Sequence, residues 1–264
     1  MDFEQKVVWI TGASSGIGRQ LALSFARKGA IVAASARRME ELNQLVSEIE
    51  SSGGRAAAFY CDVLKEDGIK SCSEAIIKKF GHIDVAVANA GFGVFGKIEN
   101  LDATEWQRQL AVNVTGVALT AKYALPFLRK TSGRLVLIGS VAAYFPSPGV
   151  GAYAASKAAV RAIGQALMVE LNGSGVTCTT IHPGFVNSDI ARVDNTGVLH
   201  KDRTDPRPAN LMWPTEKAAE VMVKAIYQRK GDYVFTGHGK IAVFIAKVFP
   251  GLARKISAKG PMPE

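Results

Sequence analysis

The segment Val7-Val8-Trp9-Ile10-Thr11-Gly12-Ala13-Ser14-Ser15-Gly16-Ile17-Gly18 indicates the fold of this chain. Its first four residues are apolar, which is typical of a buried strand. A glycine-rich turn follows, and from Ile17 onward apolar residues recur every four positions, at Leu21 and Phe25, which predicts a helix. A strand, a glycine turn and a helix in this order are typical of the first unit of an open parallel α/β sheet.

The glycine turn has the composition of a phosphate-binding loop. Glycines allow a tight turn and a close approach of the backbone to a ligand, and the start of the helix offers free N–H groups to a pyrophosphate. The spacing is Gly-x-x-x-Gly-x-Gly, whereas the commoner dinucleotide fingerprint is Gly-x-Gly-x-x-Gly. A tight connection without a ligand is the alternative, but the position after the first strand favours a nucleotide. The candidate cofactor residues here are Gly12, Ser14, Ser15, Gly16, Ile17 and Gly18.

The rest of the chain repeats the alternation of strand and helix. Further apolar strands are predicted at residues 31–35, 56–60, 83–88, 135–138, 176–181 and 233–235. Helices are predicted at residues 39–50, 69–80, 152–171 and 216–228, with a long helix that begins after an N-cap at Asp102 and runs toward Leu128. Strands that are apolar throughout are covered on both faces. We therefore predict an α/β, doubly wound Rossmann-type fold with a seven-stranded parallel sheet and helices on both faces.

No linker interrupts this alternation, so residues 1–237 are predicted to form one domain. A substrate lid is expected at about 189–213, which shows no periodicity and contains Pro206 and Pro208. Residues 238–264 form an apolar and basic C-terminal extension. Three interpretations of it are open: packing on a partner subunit, peripheral contact with a membrane through 238–256, or capping of the substrate pocket. Its charged residues are Lys240, Lys247, Arg254, Lys255, Lys259 and one acid, Glu264.

Composition narrows the class of protein. The 264 residues are 48% apolar and 21% charged, which is typical of a globular protein. The net charge of +9 suits an anionic ligand or an acidic surface, although most of these charges are expected to serve solubility, and no nucleic-acid partner is predicted. Cys61, Cys72 and Cys178 form no metal spacing and are expected to be reduced, and the four histidines are too dispersed for a metal site.

No apolar run reaches the roughly 20 residues of a membrane span, and no leader precedes Lys6. A cytoplasmic location is therefore expected, with membrane association through the extension as the alternative.

Two pairs of polar residues suggest chemistry. Tyr153 and Lys157 are four residues apart on a predicted helix, where an ammonium beside a phenol would lower the pKa of the tyrosine; a half-buried tyrosine beside an extended lysine is the alternative. Arg37 and Arg38 follow the second strand, with no acid before Glu40. Guanidinium groups suit a ribose 2′-phosphate, so NADP(H) is favoured over NAD(H), although a solvated basic pair is the alternative.

Together these residues resemble the compact, single-domain branch of the short-chain dehydrogenase/reductases, over about residues 6–236. The matching motifs are Thr11 to Gly18, Asp62-Val63, Asn89-Ala90-Gly91, Asn113, Ser140, Tyr153-x-x-x-Lys157, and Pro183-Gly184 with Ser188 beyond. The sequence departs from the family at Ala88, where an asparagine is usual, and at Ser188, where a threonine is usual.

The resemblance implies a role for each of these residues. Tyr153 is the expected general acid and base, Lys157 lowers its pKa and binds the nicotinamide ribose, Ser140 stabilises the substrate oxygen, and Asn113 holds a water that connects Lys157 to solvent. Asp62 would accept from the adenine. The remaining cofactor residues are Val63, Asn89, Ala90, Gly91, Pro183, Gly184, Val186 and Ser188. A homodimer or homotetramer is expected.

The substrate is expected to be a small apolar carbonyl compound or alcohol. The predicted pocket consists of Phe92, Phe145, Leu211, Met212 and Trp213, although Trp213 could equally pack the lid on the core. Residues 200–207, which include Arg207, are expected to be solvated. The sequence thus predicts an NADPH-dependent carbonyl reductase or alcohol dehydrogenase with no metal. The alternative is a sensor or scaffold that binds NADPH without turnover.

Overall fold

The computed structural model describes residues 2–145, 147–200 and 202–258. Seven parallel strands form one sheet in the order β3-β2-β1-β4-β5-β6-β7. The strands are β1 Val7–Thr11, β2 Ile31–Ala36, β3 Arg55–Tyr60, β4 Val85–Ala88, β5 Arg134–Ile138, β6 Thr177–His182 and β7 Asp232–Val234. The predicted Rossmann-type fold is therefore confirmed.

Helices connect the strands and continue beyond the last one. They are α1 Gly16–Ala26, α2 Met39–Ser51, α3 Glu66–Phe80, α4 Ala103–Leu110, α5 Gly116–Thr131, α6 Gly151–Glu170, α7 Thr215–Tyr227, α8 Gly237–Val248 and α9 Pro250–Ser257. The sequence predicted no helix after residue 237, yet α8 and α9 form a helical hairpin there. Three charged residues named in the sequence analysis lie outside the described residues. They are Lys259 and Glu264 in the C-terminal extension and Lys201 in the lid.

Two apolar cores cover the two faces of the sheet. On one face, α1, α2 and α7 pack against strand residues such as Val8 and Val32. On the other face, α3, α5 and α6 pack against residues such as Trp9 and Leu135. Because successive residues of a strand point to opposite faces, Val8 and Trp9 enter different cores, which explains why the strands are apolar at every position.

The predicted long helix is a composite. Its N-cap is confirmed: Asp102 accepts a hydrogen bond from the Glu105 backbone at 2.8 Å, and the Glu105 side chain accepts one from the Asp102 backbone at 2.9 Å. A π-helical turn at Ala111–Thr115 joins α4 to α5. Among the described residues, the composite helix Ala103–Thr131 is long and apolar enough to cross a membrane, judged by length and composition alone. It is a core element here, since α5 packs on the sheet and on α3.

Strand order determines where a ligand can bind. From β1 the chain proceeds outward to β2 and β3, and it then returns to place β4 on the other side of β1. The connections after β1 and β4 therefore diverge and leave a crevice at the carboxyl ends of these strands. The glycine turn and the Asn89-Ala90-Gly91 segment lie at that crevice.

Candidate active site

A cleft of about 470 Å³ lies at the carboxyl ends of the strands. Every predicted catalytic and cofactor residue lines this cleft except Asn113, which is fully buried behind it. The lining ones are Gly12, Ser14, Ser15, Gly16, Ile17, Gly18, Arg37, Arg38, Asp62, Val63, Asn89, Ala90, Gly91, Ser140, Tyr153, Lys157, Pro183, Gly184, Val186 and Ser188. Residues separated by 176 positions in the sequence thus line one site.

The glycine turn requires its glycines for two different reasons. Gly12 has φ +68°, and a Cβ there would lie 2.8 Å from the Ala90 Cα. At Gly18 a Cβ would lie 2.4 Å from the Gly12 carbonyl oxygen. The turn is therefore packed tightly against the end of β4 and against the first turn of α1, and it leaves backbone N–H groups at the start of α1 for an anion.

The Asn89 side chain lines the cleft and also holds the glycine turn in place through hydrogen bonds. Its Nδ2 donates to the carbonyl oxygens of Thr11, at 2.9 Å, and of Gly12, at 3.2 Å. The Thr11 Oγ1 accepts from the backbone N–H groups of Asn89, at 3.1 Å, and Ala90, at 3.2 Å. The carboxyl ends of β1 and β4 are thereby joined. The buried Ala88 takes no part in these bonds, which is consistent with the loss of the family's first asparagine.

The two arginines after β2 have different surroundings. The Arg38 guanidinium donates to the Ser14 Oγ at 2.9 Å and to the Ser15 Oγ at 2.7 Å, and it lies 3.6 Å from the Glu41 carboxylate. Arg37 is exposed, and it has no ion pair within the described part of the chain. Arg38 therefore ties the phosphate loop to β2, while Arg37 is the more available cation at this end of the cleft.

The adenine end of the cleft is completed after β3. Asp62 and Val63 follow that strand, and the Asp62 Oδ1 accepts from the Leu64 N–H at 3.1 Å. A Cβ at Gly116 would lie 3.0 Å from the Val63 Cβ, so the start of α5 packs closely on this loop. One oxygen of Asp62 thus orders its own turn, and the side chain still lines the cleft.

Tyr153 and Lys157 lie on α6 as predicted, but their groups point to different partners. The Lys157 Nζ donates to the Ile138 carbonyl oxygen at 2.8 Å and lies 5.7 Å from the centre of the Tyr153 ring. The Ser140 Oγ accepts from the Ala142 N–H at 3.1 Å, which holds the hydroxyl at the end of β5. Ser140, Tyr153 and Lys157 all line the middle of the same cleft.

Burial shifts the pKa of both Tyr153 and Lys157. Burial raises the pKa of Tyr153, and the Ser140 hydroxyl and the charge of Arg207 oppose that rise. Burial also lowers the pKa of Lys157 to about 8. In the protein without cofactor the Lys157 ammonium donates to the Ile138 carbonyl oxygen, and the cation that opposes the rise in the Tyr153 pKa is Arg207. The lowering of the tyrosine pKa by Lys157 stays a prediction for the loaded site.

Asn113 lies in the π-helical turn and is fully buried. Its Nδ2 donates to the Phe92 carbonyl oxygen at 2.9 Å and to the Ser156 Oγ at 3.1 Å. Ser156 in turn donates to the Tyr153 carbonyl oxygen at 2.7 Å. The π turn therefore holds α6 in position, and Ser156 is a structural partner that the sequence reasoning missed within the Tyr153–Lys157 motif.

Gly91 separates Asn113 from Lys157. A Cβ at Gly91 would lie 3.1 Å from the Asn113 Oδ1 and 3.6 Å from the Lys157 Nζ. The glycine thus keeps open the space between the two polar atoms. A larger residue at this position would fill it.

The lid carries an anchored arginine where the sequence predicted a solvated surface. Arg207 donates to the carbonyl oxygens of Val186, at 3.0 Å, and Ser188, at 2.8 Å, and it pairs with Asp205 at 2.7 Å. Its side chain is only 17% exposed. The prediction for residues 200–207 was wrong at Arg207, because the chain folds back and this side chain satisfies the carbonyl groups of the segment after β6.

The predicted apolar pocket is only partly present. Of its five residues, Phe92 lines the cleft, whereas Phe145, Leu211 and Met212 do not. The Trp213 ring packs on Phe235 with ring centres 5.5 Å apart, so it attaches the lid to the core. The predicted lid at 189–213 does contribute to this end, through Ile190, Val193, Thr196, Gly197, Leu199 and Arg207. The sequence reasoning missed Arg108 and Val112, which also line it.

Asn195 attaches the lid to the substrate end. Its side chain accepts from the Phe95 N–H at 3.0 Å and donates to the Phe95 carbonyl at 2.9 Å and to Glu105 at 2.7 Å. Its carbonyl accepts from Arg108 at 2.9 Å. The Phe95 ring centre lies 5.8 Å from that of Tyr153. The four-residue spacing of Arg108 and Val112 could have predicted that they share one helix face. Nothing in the sequence indicates that Asn195 attaches the lid.

A buried polar network supports the Ser140 turn from behind. The fully buried His182 lies 3.2 Å from the Ser140 carbonyl oxygen through Nδ1 and contacts Asp232 through Nε2. Tyr144 donates to Asp232 at 2.7 Å. Burial would raise the pKa of Asp232, but the hydrogen bonds from His182 and Tyr144 outweigh it and lower the pKa to about 2. The Ser140 turn is therefore held by an ionised carboxylate.

The site's features suit a dinucleotide. Glycine at positions 12 and 18 leaves room for backbone contact, Asp62 can accept from an adenine, and the buried Lys157 lines the cleft. A tyrosine, a serine and a lysine beside such a nucleotide site define an oxidoreductase with a nicotinamide cofactor.

Comparison with known proteins agrees with this class. The family model for short chain dehydrogenases matches residues 6–198, so the chain belongs to that family. It is 33% identical over 253 residues to an uncharacterized oxidoreductase of Myxococcus xanthus, with 94% of each chain covered. An alcohol dehydrogenase of Thermococcus sibiricus, solved with 5-hydroxy-NADP, shares 28% identity with a TM-score of 0.77 and covers 88% of this chain and 96% of its own.

A third relative supports the fold alone. It is a short chain dehydrogenase/reductase of Burkholderia phymatum solved with NAD, at 24% identity and a TM-score of 0.84, with 100% of this chain and 98% of its own covered. The protein is therefore an oxidoreductase of a family that uses nicotinamide cofactors and acts on small molecules.

Proposed function

We propose that this protein is an NADPH-dependent carbonyl reductase, which in the reverse direction oxidises a secondary alcohol. The observation that carries the proposal is the convergence of Ser140, Tyr153 and Lys157 in one cleft with the glycine turn and Arg37. When bound, the nicotinamide supplies or accepts the hydride. Tyr153 donates a proton to the substrate oxygen during reduction, and Ser140 hydrogen-bonds that oxygen as negative charge develops on it.

Lys157 is the proposed electrostatic partner of Tyr153 in the loaded site. The Lys157 Nζ would exchange protons with solvent through a water held by Asn113, since a Cβ at Gly91 would lie close to both the Asn113 Oδ1 and the Lys157 Nζ. Burial raises the Tyr153 pKa in the protein alone, so a nearby positive charge is needed to favour the phenolate during oxidation. We assign this role to Lys157 together with Arg207.

The NADP(H) preference rests on Arg37. It is exposed at the end of β2, where the ribose of a dinucleotide lies in this fold, and no acid occupies the positions between Ala36 and Glu40. Arg38 is already engaged with Ser14 and Ser15. A 2′-phosphate is therefore assigned to Arg37 first, with NAD(H) as the less favoured cofactor.

The lid end suits a substrate with a mainly apolar body. Phe92, Val112, Val193 and Leu199 supply the apolar surface, and Arg108 offers a half-buried guanidinium whose described hydrogen bond goes to a backbone carbonyl. We therefore assign a carbonyl compound that carries an acceptor or anionic group away from the reacting oxygen. A cytoplasmic homodimer or homotetramer completes the proposal.

The test is oxidation of NADPH in the presence of a panel of ketones and aldehydes. The Tyr153→Phe variant should bind NADPH as the parent does and lose at least about a hundredfold in kcat, since it removes the proton donor. Turnover that survives in this variant would contradict the mechanism. NADPH binding without turnover of any carbonyl would instead support the alternative, a sensor or scaffold protein.

A further inference from the structure

The hairpin of α8 and α9 presents an apolar face to solvent. On α8, Ile241, Phe244 and Val248 follow helical spacing and share one side, and on α9 Leu252 and Ile256 do the same. Phe249 joins the two sets, with its ring centre 6.4 Å from that of Phe244. The exposed fractions are 63% for Ile241, 60% for Phe244, 51% for Val248, 53% for Phe249, 48% for Leu252 and 47% for Ile256. We call these six residues the hairpin face.

The opposite side of the hairpin holds it on the rest of the protein. Val243 and Ala253 are buried. The His238 ring stacks on Phe185 at 5.4 Å, and a Cβ at Gly239 would lie 2.9 Å from a Val141 methyl group. The hairpin is thus attached beside the Ser140 turn, and its exposed face is on the side away from these contacts.

The charges around the hairpin face have one sign. Lys240, Lys247, Arg254 and Lys255 lie on these two helices, and the described residues after Asp232 include no acid. Lys240 flanks the apolar side of α8 and Lys255 flanks that of α9, whereas the Lys247 Nζ lies 5.1 Å from the centre of the Tyr144 ring. A second copy docked on this face by a twofold axis would bring these cations together without a carboxylate to pair them, so the charge disfavours self-association here.

We propose that the hairpin face docks on the surface of an anionic lipid bilayer. Each helix has an apolar side bordered by basic residues, which is the arrangement of helices that lie in the plane of the headgroups. The apolar side chains enter the acyl boundary while the cations contact lipid phosphates. Electrostatic attraction to anionic lipids raises partitioning onto the bilayer about fivefold for each basic residue at the surface, and this attraction weakens as the salt concentration rises.

The test is flotation of the full-length protein with two kinds of vesicle, phosphatidylcholine alone and phosphatidylcholine mixed with phosphatidylglycerol. The parent should partition at least about tenfold more strongly onto the anionic vesicles, and raised salt should reduce this binding. The variant Phe244→Glu/Ile256→Glu should lose at least about tenfold in partitioning, since it removes two large apolar side chains from the face.

Val169→Glu is the matched control, because Val169 is a 78% exposed apolar residue on α6, away from the hairpin. It should bind vesicles as the parent does. Absence of vesicle binding by the parent, or equal loss in the control, would overturn the proposal. A second result would also overturn it: the parent sediments as a dimer, the Phe244→Glu/Ile256→Glu variant sediments as a monomer, and vesicles do not bind the parent. The hairpin face would then bind a second copy of the chain. Unchanged thermal unfolding and NADPH binding of the variants show that they are folded.

Discussion

The two ends of the cleft are constructed differently. At the adenosine end, backbone turns after β1, β2 and β3 supply the surface, and Asn89 and Arg38 hold these turns together. At the lid end, the surface consists of side chains from distant segments; Phe95 and Asn195, which bond to one another, are 100 positions apart. Turns at strand ends are local, whereas a lid depends on tertiary contacts. The adenosine end therefore recognises a cofactor common to the family, and the lid end can vary with the substrate.

Lys157 lies between the two ends, and replacing it should have the largest effect. Lys157→Met should lower kcat at least about a hundredfold. It should also stabilise the protein without ligand by about 3 kcal/mol at pH 7, because burial lowers the lysine pKa from 10.5 to about 8 and a buried charge is removed. Activity assays and denaturant unfolding measure the two effects.

The sign of the pH dependence follows from the direction of that shift. A lysine whose folded pKa is depressed costs stability below pH 8, and the cost disappears as pH rises from about 8 to 10.5, where only the folded state has lost the proton. The stability difference between Lys157→Met and the parent should therefore shrink over this range. If the difference in unfolding free energy between Lys157→Met and the parent stayed constant over this pH range, Lys157 would not be a buried charged group with a lowered pKa.

Arg37→Ala tests the adenosine end alone. The variant should weaken NADPH binding about tenfold to a hundredfold, the value of a charge-assisted hydrogen bond to a phosphate, while NADH binding changes little. Fluorescence titration of both cofactors measures this. Equal loss for NADPH and NADH would refute the assignment of the 2′-phosphate to Arg37.

Arg108→Ala tests the lid end in the same way. With a pair of carbonyl substrates that differ only in a carboxylate or its methyl ester, KM should rise about tenfold for the acid and little for the ester. The Kd of NADPH should stay unchanged, so each arginine variant serves as the control for the other. A change in NADPH affinity would show that the two ends are not independent.

The network behind Ser140 should give the smallest effect. The Asp232 pKa is lowered to about 2, so the ionised carboxylate contributes stability above pH 4 that is lost as pH falls toward 2. Asp232→Asn should therefore be less stable than the parent at pH 7, and the difference should disappear near pH 2. Urea unfolding at several pH values measures it, with Asp202→Asn, an exposed lid residue, as the control.

Secondary structure and the cofactor side followed from the sequence because their signals are local. An apolar strand, a glycine turn and a helix occupy neighbouring residues, and the carboxyl ends of parallel strands meet at one edge. The lid was less predictable. Arg207 looked solvated in a segment rich in charge, and its partners, the carbonyl oxygens of Val186 and Ser188, carry no side-chain signal. Trp213 could pack in two ways, and only its contact with Phe235 decided between them.

The sequence by itself determined the order of the strands and main helices as far as residue 237, the glycine turn and the set of residues that line the middle of the cleft. Only the tertiary structure decided the direction of each polar group. Helical spacing brings Lys157 near Tyr153, but the Lys157 ammonium donates to the Ile138 carbonyl oxygen, and the charge of Arg207, from the distant lid, opposes the rise in the Tyr153 pKa. Spacing along one helix sets which side chains are neighbours, whereas burial and partners from other segments set their orientation and their pKa.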